Sequence, residues 1–123
     1  MSTKGDILDY LTDIVDAIDA ALSFVADIDV EQFRVDRRTV YATTHALEIV
    51  GEAAKRMPEA VRVRYPAVPW RLMAGMRDRL IHGYDTVELD VLWKTVIEDL
   101  PATRLLVAEV IRQEQTTADE SET

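Results

Sequence analysis

The residue types best suited to chemistry sit together in residues 76–86, MRDRLIHGYDT. Arg77 precedes His82 by five positions and Asp78 precedes it by four; Tyr84 follows after Gly83. Histidine is scarce in this chain, which has only His45 and His82. An arginine presents a rigid fork of donors that matches a phosphate and neutralises charge in a transition state. An imidazole titrates near neutral pH and takes or gives a proton. A carboxylate at i, i+4 from it fixes the tautomer and favours the charged form. These parts suit metal-free phosphodiester cleavage in RNA, where the 2′-hydroxyl is a nucleophile already held beside the phosphorus. Such chemistry leaves a cyclic phosphate and spares DNA. Spacing alone also admits a plainer reading: a charged His at a helix C-terminus, favoured by the macrodipole, with Arg77 and Arg79 as solvated charges.

The helix that carries the motif must also bring it together. On one continuous helix Arg77 and His82 are about 140° apart. They converge if the helix stops at Ile81 or His82, and Gly83 is suited to the left-handed position just past such an end. The motif helix is expected from Trp70 through Ile81, after a loop YPAVPW with two prolines. Ahead of it, Ile7, Leu11, Ile14, Ile18, Leu22 and Val25 share one face of a first helix while Asp6, Asp9, Asp13, Asp16 and Asp19 share the other. Ser2 or Thr3 is placed to cap it, and Asp29 with Gln32 reads as a capping box for a short turn. A second long helix begins at Asp36, buries Val40, Thr44, Leu47, Gly51 and Ala54, and stops at Pro58. A last helical stretch, VELDVLWKTVIEDLPATRLLVAEVIRQ, should be kinked or split by Pro101. No strand alternation or internal repeat is present. The expected fold is all-α, an up-and-down bundle of four to five helices over 1–113, with residues 114–123 an acidic tail expected to be disordered. His45, beside Tyr41, Glu48 and Glu52 on the polar stripe of the second helix, reads as a structural or interface residue. Trp70 and Trp93 read as core rather than base-stacking.

Composition excludes several classes. No cysteine means no disulfide framework and no thiolate metal site, and two histidines make zinc a poor fit. No apolar run is long enough to span a bilayer, and MSTKGDILDYL lacks the pattern of a signal peptide, so a soluble cytoplasmic protein is expected. The net charge of −9 argues against broad binding to nucleic acid, yet it is unevenly spread. Residues 34–82 carry ten bases against five acids, whereas both flanks are strongly acidic. The basic middle leaves room for a local phosphate site, or its arginines decorate solvated helix faces.

The stretch WRLMAGMRDRLIHGY resembles the signature of HepT-like HEPN-domain toxins: an Arg, a polar residue, three more, a His, one residue and a Tyr. Here these are Arg77, Asp78, His82 and Tyr84. LEIVGEAAKRM resembles the family's segment around Gly-Glu-Ala on its second helix, and the resemblance runs over roughly residues 6–105. It implies a HEPN-like bundle that forms a homodimer, with two motifs facing one another across a cleft as a composite ribonuclease site. His82 would move the proton, Arg77 would hold the phosphate, and Asp78 would orient His82 or hold the cleft. Copies of Arg79 and Arg71 in that cleft would add RNA contacts. The resemblance further implies the toxin of a toxin–antitoxin pair whose partner is an MNT-type nucleotidyltransferase. That antitoxin would spend ATP to transfer AMP onto Tyr84 and silence the toxin, which needs no cofactor or metal of its own. A non-catalytic helical module that binds and positions a nucleotidyltransferase is the alternative.

Overall fold

A computed structural model describes residues 3–80 and 86–122, with side chains described for 3–76 and 88–117. Among the described residues the chain is helical, with no strand. The first helix, α1 (Lys4–Val25), opens on a capping box in which Thr3 Oγ1 accepts from the Asp6 amide and the Asp6 carboxylate accepts from the Thr3 amide. Its buried row, Ile7, Leu11, Ile14, Ile18, Ala21 and Val25, steps by alternating fours and threes. A six-residue α2 (Val30–Val35) follows, capped by Asp29 and Gln32 as the sequence anticipates. The long α3 (Arg37–Arg56) starts from Asp36, whose carboxylate accepts from the Thr39 amide and hydroxyl.

The helix α3 packs most extensively, against α1 on one side and α5 (Trp70–Leu80) on the other. Its buried face is rich in small residues, Ala46, Gly51, Ala53 and Ala54, and α1 meets it with Ala17 and Ala21. Small side chains let the two backbones approach, and Leu11 and Val50 on these helices are fully buried. Between α3 and α5 lie α4 (Glu59–Arg64) and the expected proline loop.

The stretch expected to be kinked or split by Pro101 is divided just ahead of it by a change of helix type. The helix α6 (Thr86–Lys94) passes into a π-helical turn, Thr95–Asp99, and then into α7 (Leu100–Glu122) with no non-helical residue between them. Proline has no amide to give to the carbonyl four residues back and its ring crowds that carbonyl. The wider turn absorbs this, with the Leu100 amide donating to Thr95 O, and the Thr103 hydroxyl donates to Asp99 O.

The buried row of α7 is Leu100, Thr103, Val107, Val110 and Glu114, again in threes and fours, and it packs on α1. Arg104 grips Asp19 with Nε and Nη2, which sets the register of that pair. The helix continues through 114–122, where the acidic composition favours a disordered tail. Local bonds hold its approach: Arg112 and Gln113 both donate to Glu109, and the Thr116 and Thr117 hydroxyls donate to carbonyls one turn back. The architecture is thus an all-α bundle of α1, α3, α5 and the α6–α7 rod, with two short helices as connectors. No helix among the described residues is long and apolar enough to cross a membrane.

Candidate functional site

The position of the motif follows from how α5 is anchored. Its first residue, Trp70, is buried, and the indole Nε1 donates to Tyr65 O at 3.0 Å. Arg62 on α4 reaches back to the end of α3, where Nη2 donates to Ala54 O (2.9 Å) and Lys55 O (3.2 Å). One cation thus serves two carbonyls of the last turn, of which Ala54 O also accepts from the Met57 amide. Glu59, Arg62, Trp70 and Arg71 line one shallow groove there, so α5 begins beside the C-terminal end of α3. Six residues on, Met76 meets Leu47 together with Leu92 of α6. The two helices are therefore antiparallel. A rise of 1.5 Å per residue carries the α5 backbone about 6 Å beyond Met76 to Leu80, toward the arginine-rich start of α3.

That end of α3 is polar and partly open. Arg34 of α2 forms a two-point ion pair with Asp90 of α6, Nε to Oδ1 at 2.7 Å and Nη2 to Oδ2 at 3.0 Å. The Arg34 hydrogen bonds hold the Asp90 carboxyl below its usual range, and the same bonds raise the arginine. Phe33 and Trp93 stack between the same helices at 5.3 Å, tilted by 49°. Both tryptophans are therefore in the packing, as expected from the sequence. Next to this pair lies a cavity of about 260 Å³ lined by Arg34, Arg37, Val40, Tyr41 and Leu89. Arg37 Nη2 donates to the Tyr41 hydroxyl at 3.2 Å.

The candidate residues divide as follows. Arg77, Asp78 and Arg79 lie in the last turn of α5, and their side chains lie outside the described residues. His82, Gly83 and Tyr84, and with them the proposed convergence of Arg77 and His82, also lie outside the described residues. Arg71 is exposed in the first turn of α5, about 9 Å along the axis from Arg77 and about 120° around it. His45 is on the outer face of α3, with Nδ1 3.8 Å from Glu48 Oε2, in an open groove that Tyr10, Asp13, Glu52 and Arg56 also line. Among the described residues no group of His, Asp or Glu is arranged to hold a metal ion. Residues that sequence reasoning passed over are Arg34, Arg37, Asp90 and the buried Glu114. The run RVDRRTVY, with Arg37 and Tyr41 one turn apart, was the available signal for two of them.

Comparison with known proteins bears on the same residues. The model of the family described as "Ribonuclease HepT-like" matches residues 14–110, which include the whole motif. A protein of Thermococcus cleftensis named "Probable ribonuclease HepT" is 49% identical over 94 residues, covering 76% of this chain and 86% of that protein. A Methanocaldococcus jannaschii protein named "Putative RNase MJ0125" is 36% identical over 109 residues, covering 89% of this chain and 94% of the relative. No solved structure matches the chain.

Proposed function

The chain belongs to the HepT-like ribonuclease family, and on that premise we propose that it is a metal-independent endoribonuclease. Its cut is made by Arg77 and His82, and it acts as the toxin of a toxin–antitoxin pair. The observation that best supports the reading is the antiparallel pairing of α3 and α5. It carries the last turn of α5, with Arg77, Asp78 and Arg79 in its backbone, toward the end of an otherwise acidic protein where Arg34, Arg37 and Arg38 cluster.

His82 takes the proton from the 2′-hydroxyl as that oxygen bonds to phosphorus. The bond from phosphorus to the 5′-oxygen breaks, and the leaving oxygen takes up a proton. The products are a 2′,3′-cyclic phosphate and a free 5′-hydroxyl. Arg77 offsets the charge that gathers on the phosphorane oxygens. Asp78 orients His82 or holds the cleft of a homodimer, to which Arg79 and Arg71 add RNA contacts. An MNT-type nucleotidyltransferase, using ATP, places AMP on Tyr84. The added anion would repel RNA phosphate and occupy the cleft.

Cleavage of RNA by purified protein in EDTA tests the first part. Removing the proton-transfer group or the phosphate-binding group should each cost at least about 10²-fold in rate. His82→Ala and Arg77→Ala proteins that cut as fast as the parent would sink it. Intact mass after co-expression with the partner gene tests the second, since an adenylyl increment should be present and should vanish in Tyr84→Phe. Tight binding of that partner with no cleavage by the parent protein would favour the non-catalytic module.

A further inference from the structure

The proposed chemistry uses the end of α5 and leaves the cavity beside α3 without a role. Its two arginines are not equivalent. Arg34 is met at both Nε and Nη2 by Asp90, so its charge is compensated and its position held. Arg37 donates to a neutral group, the Tyr41 hydroxyl, and its guanidinium carbon stands 5.8 Å from the Tyr41 ring centroid. Among the described residues no carboxylate is paired with it. A guanidinium has five N–H donors, and the hydroxyl occupies one of them. Tyr41 is nearly half exposed at 48%, and the aliphatic side chains of Val40 and Leu89 complete the wall.

An uncompensated guanidinium beside an aromatic ring with an apolar floor is the combination that binds one nucleotide of a single strand. The base stacks on the ring and the phosphate pairs with the arginine. The volume, about 260 Å³, is just below the range of roughly 300–1,000 Å³ typical of ligand sites, so it accommodates one nucleotide rather than several. Leu89 belongs to α6, whose first residue, Thr86, is the last of the stretch 76–86.

We infer that the Arg37–Tyr41 cavity is a subsite for one nucleotide of single-stranded RNA next to the cleaved bond; only the position of that bond rests on the ribonuclease reading. Tyr41 stacks on the base, Arg37 pairs with its phosphate, and the Arg34–Asp90 pair is a fixed wall that brings no net charge. The neighbouring acidic flanks would reject polyanions elsewhere and confine the strand to this end.

Binding and cutting are measured separately. Fluorescence anisotropy of a short fluorescein-labelled single-stranded RNA is recorded with His82→Ala protein, which does not consume the probe. Adding Arg37→Ala should raise Kd about tenfold and lower the salt slope by about 0.7, the value for one phosphate of a single strand. Tyr41→Ala should raise Kd about five- to tenfold while Tyr41→Phe stays within about twofold, because the ring and not the hydroxyl stacks. With His82 intact, Arg37→Ala and Tyr41→Ala should raise KM and leave kcat nearly unchanged. Arg37→Gln repeats the test with the helix start preserved, and the melting temperature of each variant reports its folding. Unchanged Kd in both alanine variants overturns the subsite. So does a loss for Arg37→Ala with none for Tyr41→Ala, which would mean a surface charge only. Parent protein that cuts no RNA, yet shows both binding losses, would sink the ribonuclease reading and leave the subsite standing.

Discussion

The two ends of α3 are held by opposite means. At its C-terminal end Arg62 donates to two carbonyls of the last turn, Trp70 is buried with its indole N–H bonded, and Met57, Val61 and Val68 complete an apolar seal. Close by, the Glu114 carboxylate of α7, with a side chain only 3% exposed, lies 3.0 Å from Arg64 Nη2, and burial together with this carboxylate pushes the Tyr65 phenol up. At its N-terminal end the joint is one partly exposed ion pair, Arg34–Asp90, beside an open cavity. A closed end withdraws groups from water and fixes the bundle. An open end keeps cations in solvent, where they retain their value for an anionic ligand. The motif helix is anchored at the first end and delivers its last turn toward the second.

If this contrast is real, the heaviest loss comes from the closed end. Trp70→Ala removes a buried indole and one of the two donors to Tyr65 O, which keeps the Val68 amide. It should cost about 3–5 kcal/mol by chemical denaturation. A loss below about 1 kcal/mol would mean that the seal is not what anchors α5. Glu114 gives the next test. Arg64→Ala would leave a buried carboxylate without its cation. That should cost about 1–2 kcal/mol, less than for a wholly buried pair because Arg64 is half exposed. Glu114→Leu, which puts an apolar side chain in the same buried row of α7, should be neutral or stabilising. A strongly destabilised Glu114→Leu protein would show that the carboxylate has a structural role beyond tying α4 to α7.

Periodicity made most of this frame legible. The rows from Ile7 to Val25 and from Val40 to Ala54 are regular, and an apolar row must find another to cover it. The Thr3 and Asp29 caps were legible because both partners lie within three residues. What was missed is non-local. Glu114 sits in an acidic stretch and reads as solvated, because its partners Arg64 and Tyr65 are about fifty positions away in the chain. Arg34 and Asp90, 56 residues apart, are hidden for the same reason. The motif itself was legible as chemistry because Arg77, Asp78, His82 and Tyr84 are close in sequence. Its surroundings were not, since they come from α2, α3 and α6.

The open end should respond weakly to single changes. Arg34→Ala or Asp90→Asn should lower the melting temperature slightly, and the difference should shrink further in molar salt, where exposed pairs are screened. A large, salt-independent loss would place this pair with the closed end. Smallest of all is the acid response. Arg104 lowers Asp19, Arg34 lowers Asp90, and Arg112 with Gln113 lowers Glu109 to about 2. These carboxyls bind fewer protons folded than unfolded, so their contribution is complete above about pH 5 and is lost as pH falls toward 2. Thermal melts across that range should fall shallowly, and Glu109→Gln should flatten the slope. An identical slope in that variant would remove Glu109 from the account.

The π turn at Thr95–Asp99 has a consequence for insertions and deletions. It sets the rotational phase of everything beyond it in the rod. One residue fewer in that turn would rotate α7 by about 100° relative to α6. Leu100, Val107 and Val110 would leave the core together, Arg104 would swing away from Asp19, and Glu114 would lose Arg64. A lesion near the middle of the rod would thus loosen the anchor of α5 at its far end. Length in this turn is therefore under tighter constraint than the identity of its exposed residues, Ile97, Glu98 and Asp99.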